Sequence, residues 1–231
     1  MIKIFADGAD IEEINKLNSN SLVSGFTTNP SLMRNSGVQD YELFAKKALK
    51  IVGDKPISFE IFKDDKVGII EQAKQISSWG DNVYVKIPIM DTKGNGNYEI
   101  IKILSNQGIK INITAVFTIE QVTLLVESLN SLVPSVVSVF AGRIADTGID
   151  PINIMTESLK LLASNQNSEL LWASSREVLN IYQADQIGCH IITVTQDLIK
   201  KLDLKGKDLK EYSRETVQMF FDDASNAGYS I

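Results

Sequence analysis

The chain has 231 residues, 44% hydrophobic and 23% charged, the balance of a globular protein long enough for one barrel-sized domain. With 23 Lys and Arg against 29 Asp and Glu the formal net charge is -6, which argues against a nucleic-acid-binding surface but leaves room for a local basic pocket. Cys189 is the only cysteine, so no internal disulfide is possible. No uncharged apolar run reaches membrane-spanning length and residues 1–7 show no leader pattern, so the cytoplasm is the expected location.

Strand-like and helix-like segments alternate along the whole chain. The alternation of β-branched and polar residues predicts strands near 3–7, 25–29, 57–61, 83–89, 110–116, 136–140, 170–174 and 190–195. Between them lie apolar residues at helical spacing: Ile11, Ile14 and Leu17; Leu43, Ala45, Leu49 and Val52; Ile69, Ile70, Ala73 and Ile76; Val122, Leu125, Val126 and Leu129. Asp10 and Thr118 are placed as N-caps, with Glu13 spaced to complete a capping box with Asp10. Eight strands alternating with helices predict an α/β fold, a single parallel (β/α)8 TIM barrel over residues 1–231, with a doubly wound open sheet as the alternative. Leu209, Tyr212, Val217, Phe220 and Phe221 predict an additional C-terminal helix at about 205–227, packed either on its own barrel or on a neighbouring subunit.

The strand period of two sorts side chains onto two faces. In the fourth strand Val83, Val85, Ile87 and Ile89 share one face, and Tyr84, Lys86 and Pro88 share the other. A lysine in mid-strand reads either as an edge residue that blocks aggregation or as a buried amine, since burial favours the neutral form that attacks carbonyls. The same parity pairs Phe5 with Asp7, Thr27 with Asn29, Ser58 with Glu60, Asn112 with Thr114, Ser138 with Phe140, and Trp172 with Ser174 and Arg176. Seven strands thus carry polar groups on one face, toward their C-terminal ends, where barrel enzymes place their active sites. Asp7, Asn29, Glu60, Lys86, Asn112, Thr114, Ser138 and Arg176 are expected to converge on one pocket. His190, the only histidine, falls at the opposite end and reads as structural. No His/Cys/Asp cluster has metal-ligand spacing, and neither a Walker A loop nor a Gly-x-Gly-x-x-Gly turn is present, so neither metal nor cofactor is expected. One inward lysine with two carboxylates suits Schiff-base chemistry, and Arg143 and Arg176 suit a phosphate. The residues alone leave open a non-catalytic binder of a phosphorylated ligand on the same scaffold.

Seven stretches, spread in order over nearly the whole chain, resemble the transaldolase family, in its short group that also contains fructose-6-phosphate aldolase. They are Phe5-Ala6-Asp7, Gly25-Phe26-Thr27-Thr28-Asn29-Pro30-Ser31-Leu32, Ser58-Phe59-Glu60-Ile61, Val85-Lys86-Ile87-Pro88, Asn112-Ile113-Thr114, Ser138-Val139-Phe140-Ala141-Gly142-Arg143-Ile144 and Ala173-Ser174-Ser175-Arg176. The resemblance implies a (β/α)8 barrel with Lys86 as the Schiff-base lysine on the fourth strand and Asp7 as the acid/base for the C4 hydroxyl. Glu60 and Thr114 would activate the water of imine formation and hydrolysis. Asn29 and Asn112 would bind hydroxyls of a dihydroxyacetone unit, with Thr27 and Ser138 lining the same site. Arg143, Arg176 and Ser174 would bind phosphate. The family's aldolases tend to carry glutamine at the position of Glu60 and tyrosine at that of Phe140, so both positions here resemble transaldolase. The implied reaction is transfer of dihydroxyacetone between sugar phosphates of the pentose phosphate pathway: sedoheptulose 7-phosphate with glyceraldehyde 3-phosphate, and fructose 6-phosphate with erythrose 4-phosphate. The alternative is an aldolase that releases free dihydroxyacetone. A homo-oligomer, pentamer or decamer, is implied as well. Two positions depart from the family pattern: Gly8 follows the aspartate where threonine is usual, and Ser175 stands where an apolar residue often precedes the arginine.

Overall fold

In this computed structural model residues 2–229 are described. Eight parallel strands close into a barrel in sequence order, β8 pairing back onto β1. They are β1 (Lys3–Asp7), β2 (Val23–Thr27), β3 (Ile57–Glu60), β4 (Val83–Pro88), β5 (Ile111–Val116), β6 (Ser135–Val139), β7 (Ser168–Trp172) and β8 (Ile191–Thr195). The helices between them are α1 (Ile11–Asn18), α2 (Pro30–Asn35), α3 (Tyr41–Val52), α4 (Lys66–Ser77), α5 (Tyr98–Asn106), α6 (Ile119–Ser128), α7 (Ala141–Asp146), α8 (Ile152–Leu162), α9 (Leu179–Gln186) and α10 (Gln196–Lys201); α11 (Leu209–Ala227) follows the barrel. The closed barrel excludes the open sheet. All eight predicted strands are present, with ends displaced by at most two residues.

Two apolar clusters explain the strand sequences. The larger lies between strands and helices and takes the outward positions, among them Val83, Val85, Ile87, Ile111, Ile113, Val137, Val139, Ile192 and Val194. The smaller consists of Phe5, Val136, Leu171, Ala173 and Ile191 with Tyr84 and Phe140, and it fills the barrel interior. Gly25 is required by that filling, because a Cβ there would lie 2.6 Å from the Phe5 ring. Above this plug the inward positions become polar.

Helix starts follow local capping. Asp10, Asn29, Asp40, Asp65, Thr118 and Asp208 each accept a bond from a first-turn N–H. The reciprocal box forms at Thr118 with Gln121 and not at Asp10 with Glu13. On α3 the buried stripe is Phe44, Ala45, Ala48 and Val52, so the expected Leu43 is half exposed. No side chain of α11 is buried; Val217, Phe220 and Phe221 are all mostly exposed. In this structure α11 does not bury its apolar face on the barrel. Among the described residues no helix is long and apolar enough to cross a membrane. Burial pushes the Cys189 thiol up to about 12, so it is inert at neutral pH.

Candidate active site

A cavity of about 520 Å³ opens at the C-terminal ends of the strands, within the range of small-ligand sites. Its lining includes Asp7, Thr27, Asn29, Glu60, Lys86, Thr114, Ser138, Phe140, Arg143 and Ser174. The strand register explains the gathering: Glu60 is level with Lys86, Lys86 with Asn112, and Asp7 with Thr27.

Lys86 is only 7% exposed. Its Nζ donates to the Thr28 carbonyl at 3.0 Å and lies 3.2 Å from Glu60 Oε2. Thr28 is held in turn by its own hydroxyl, which donates to the Ser58 carbonyl. On the neighbouring β1–β2 pair the Thr27 hydroxyl donates to Asp7 Oδ1 at 2.8 Å. Burial pushes the Asp7 carboxyl up from its ordinary value, while Lys86 and the Thr27 bond pull part of the way back. Asn29 Oδ1 caps α2 by accepting from the Leu32 N–H, so its amide NH2 is the end available to a ligand. Thr114 Oγ1 is buried and has no hydrogen-bond partner, which leaves its bonding capacity to a bound molecule.

The structure corrects the inward face of two strands. On β7 the predicted parity is inverted: Leu171 and Ala173 belong to the interior cluster, and Trp172 lies in the core shared with the helices. Ser174 still reaches the cavity because the chain turns there with φ +64. On β5 Ala115 has φ +57 and the pairing slips between Ile113 and Val116, so Ala115 lines the cavity although strict alternation places it outward. Non-glycine residues in this region of backbone space cost on the order of 1–3 kcal/mol and concentrate at functional sites. On β8 the alternation of Ile191, Thr193 and Thr195 carries the signal for Thr193, a lining residue absent from the expected set. Seven strands do contribute polar groups, but with β8 in place of β7.

Two further expected residues sit elsewhere. Asn112 is 1% exposed and does not line the cavity; its Nδ2 donates to Ser58 Oγ at 2.9 Å and its Oδ1 accepts from Ser138 Oγ at 2.6 Å. It lies beneath the floor and holds the Ser138 proton, so Ser138 offers a ligand only its acceptor side. Arg176 is outside the lining and forks onto Asp146, with Nε to Oδ1 at 3.1 Å and a second bond from Nη2 to Oδ2. The Arg176 hydrogen bond holds the Asp146 carboxyl below its ordinary value. Arg143 does line the cavity, stacked 5.2 Å over the Phe140 ring. Gly142 makes this approach possible: its N–H donates to the Ala173 carbonyl, and a Cβ would lie 1.6 Å from the Ser174 carbonyl oxygen. His190 accepts the Leu170 N–H at Nδ1, a structural role at the far end of the barrel. Among the described residues no group of three His, Cys, Asp or Glu side chains could hold a metal ion.

Residues 4–231 match the model of one family, described as "Transaldolase/Fructose-6-phosphate aldolase". The chain belongs to the transaldolase/fructose-6-phosphate aldolase family. A "Probable transaldolase" of Thermoanaerobacter sp. (strain X514) is 33% identical over 202 residues, which is 87% of this chain and 89% of that protein. Another, from Streptococcus equi subsp. zooepidemicus (strain MGCS10565), is 34% identical, over 87% of this chain and 90% of the relative. Among solved structures, KGPDC from Streptococcus mutans superposes with a TM-score of 0.56 at 9% identity, covering 85% of this chain and 87% of that one. At that identity the likeness concerns the TIM barrel alone. Membership makes this protein an enzyme of the transaldolase family, whose cavity presents a buried lysine between two carboxylates.

Proposed function

We propose that this chain is a transaldolase that moves a dihydroxyacetone unit between sugar phosphates through a Schiff base on Lys86. The observation that carries the reading is the Lys86 amine, buried in the cavity wall with Glu60 at 3.2 Å and a half-buried carboxyl, Asp7, across the same space. As a neutral amine, Lys86 Nζ attacks the C2 carbonyl of a ketose phosphate. Glu60 and the open Thr114 hydroxyl handle the water lost as the iminium forms. Asp7 then removes the C4 hydroxyl proton, the C3–C4 bond breaks, an aldehyde leaves, and the electron pair is held as an enamine on Lys86. An acceptor aldehyde takes the enamine carbon, Asp7 returns the proton, and hydrolysis frees the lysine. The Asn29 amide and Ser138 suit the hydroxyls of the three-carbon unit. Arg143 suits the phosphate, and Arg176 joins it once a phosphate replaces Asp146 as its partner.

Transfer rather than release of free dihydroxyacetone is supported by Phe140 and Glu60. Phe140 lines the cavity without a hydroxyl that could protonate the enamine. We also infer a homo-oligomer in which α11 buries its exposed apolar face on a neighbouring copy. The deciding experiment combines fructose 6-phosphate with borohydride and reads the intact mass. A three-carbon adduct in the wild type that is lost in Lys86→Ala is the expected result; an adduct that survives the substitution sinks the mechanism. Turnover of fructose 6-phosphate that needs no added erythrose 4-phosphate would favour the aldolase.

A further inference from the structure

Thr193 is 7% exposed, lines the cavity and lies 2.5 Å from the Thr27 hydroxyl, Oγ1 to Oγ1. A hydroxyl has one proton to give. Thr27 gives its proton to Asp7 Oδ1, so the short contact between the two threonines is donated by Thr193. The result is a one-way chain, Thr193 to Thr27 to Asp7. β8 is pinned at this point: the Thr193 carbonyl accepts from Ser175 Oγ at 2.8 Å, and Thr193 sits level with Phe5 of β1. Ser175 is one of the two positions that depart from the family pattern, and this bond is what its hydroxyl does here.

We propose that Thr193 is a positioning residue for the acid–base step, locking the Thr27 proton onto Asp7 Oδ1. This role rests on the transaldolase-type reading of Asp7 given above. With Oδ1 always an acceptor, the proton taken from the substrate is carried by Oδ2. The polarised chain also favours the carboxylate, the form needed to start cleavage. The ionisable groups facing Asp7 come from other elements: Lys86 on β4, Glu60 on β3 and Arg143 on α7. The strands flanking it, β2 and β8, contain no ionisable side chain, so hydroxyls are their only means of acting on Asp7.

The test uses the full-length protein with Thr193→Val, which keeps the shape and removes the donor, and Thr193→Ser, which keeps the donor. The readouts are the pH profile of kcat with fructose 6-phosphate and erythrose 4-phosphate, KM, and the borohydride adduct at Lys86. Thr193→Val is expected to lower kcat about three- to tenfold, the worth of one hydrogen bond. Its acidic limb is expected to move to higher pH with KM nearly unchanged and the adduct retained. Thr193→Ser is expected to restore the limb. A limb that stays in place in Thr193→Val, or fails to return in Thr193→Ser, overturns the role while leaving the Schiff base intact. Loss of the adduct from the wild type itself overturns the Schiff-base reading and the role with it. Should Thr193→Val fail to fold, Thr193→Ala against Thr193→Ser makes the same comparison.

Discussion

Asp7 has a cost as well as a use. Its carboxyl is raised by burial, so the folded state binds this proton more tightly than the unfolded chain does. The stability linked to it is therefore present at acid pH, below the ordinary carboxylate value, and is lost as pH rises through the folded value. Toward neutral pH this linked stability is diminished. Asp7→Asn keeps an acceptor for Thr27 and removes the charge. Thermal melts at pH 7 should show a gain on the order of 1 kcal/mol, or roughly 2–4 °C for a chain of this size. The gain should shrink as pH falls toward 4. Activity should drop by about 10²- to 10⁴-fold, the usual contribution of a general acid–base. A variant less stable than the wild type at pH 7 would contradict this account.

At the scale of elements, α7 is placed by a contact that no other residue permits. Gly142 lies against the Ser174 carbonyl so closely that an added Cβ would sit 1.6 Å from its oxygen. Gly142→Ala must push α7 and the β7 turn apart, carrying Arg143 with it. Overpacking of this kind costs about 1–3 kcal/mol. Urea unfolding should report that loss, and KM for fructose 6-phosphate should rise more than kcat falls. Equal effects on both would mean that Arg143 is not where the phosphate is held. Most element boundaries were legible in the chain because caps such as Asp10 and Thr118 act over one helical turn. The parity of β7 was not legible. Ser174 and Arg176 are polar and Leu171 and Ala173 are not, but the turn at Ser174 with φ +64 breaks the alternation on which parity depends.

For the whole molecule, α11 is the unexplained apolar surface. Phe220 and Phe221 are 61% and 67% exposed, and no residue of the helix is buried. Monomers rarely leave such a face to water. Phe220→Glu with Phe221→Glu is expected to reduce the particle mass measured by light scattering while leaving the barrel's circular dichroism unchanged. An unchanged mass would show that this face makes no contact between copies.

By itself the sequence pointed to the barrel, to Lys86 on its fourth strand and to two carboxylates on neighbouring strands. Those follow from hydrophobic period and residue chemistry, both local properties of the chain. Only the tertiary structure decided which polar groups face the cavity and which face each other. Asn112 and Arg176 have the right residue types, yet their hydrogen bonds go to Ser58, Ser138 and Asp146. Thr193 looks like an ordinary strand residue until the closed barrel brings it against Thr27, 166 residues away in the chain. Barrel closure and backbone turns join residues distant in sequence, and no spacing along the chain encodes the distance between them.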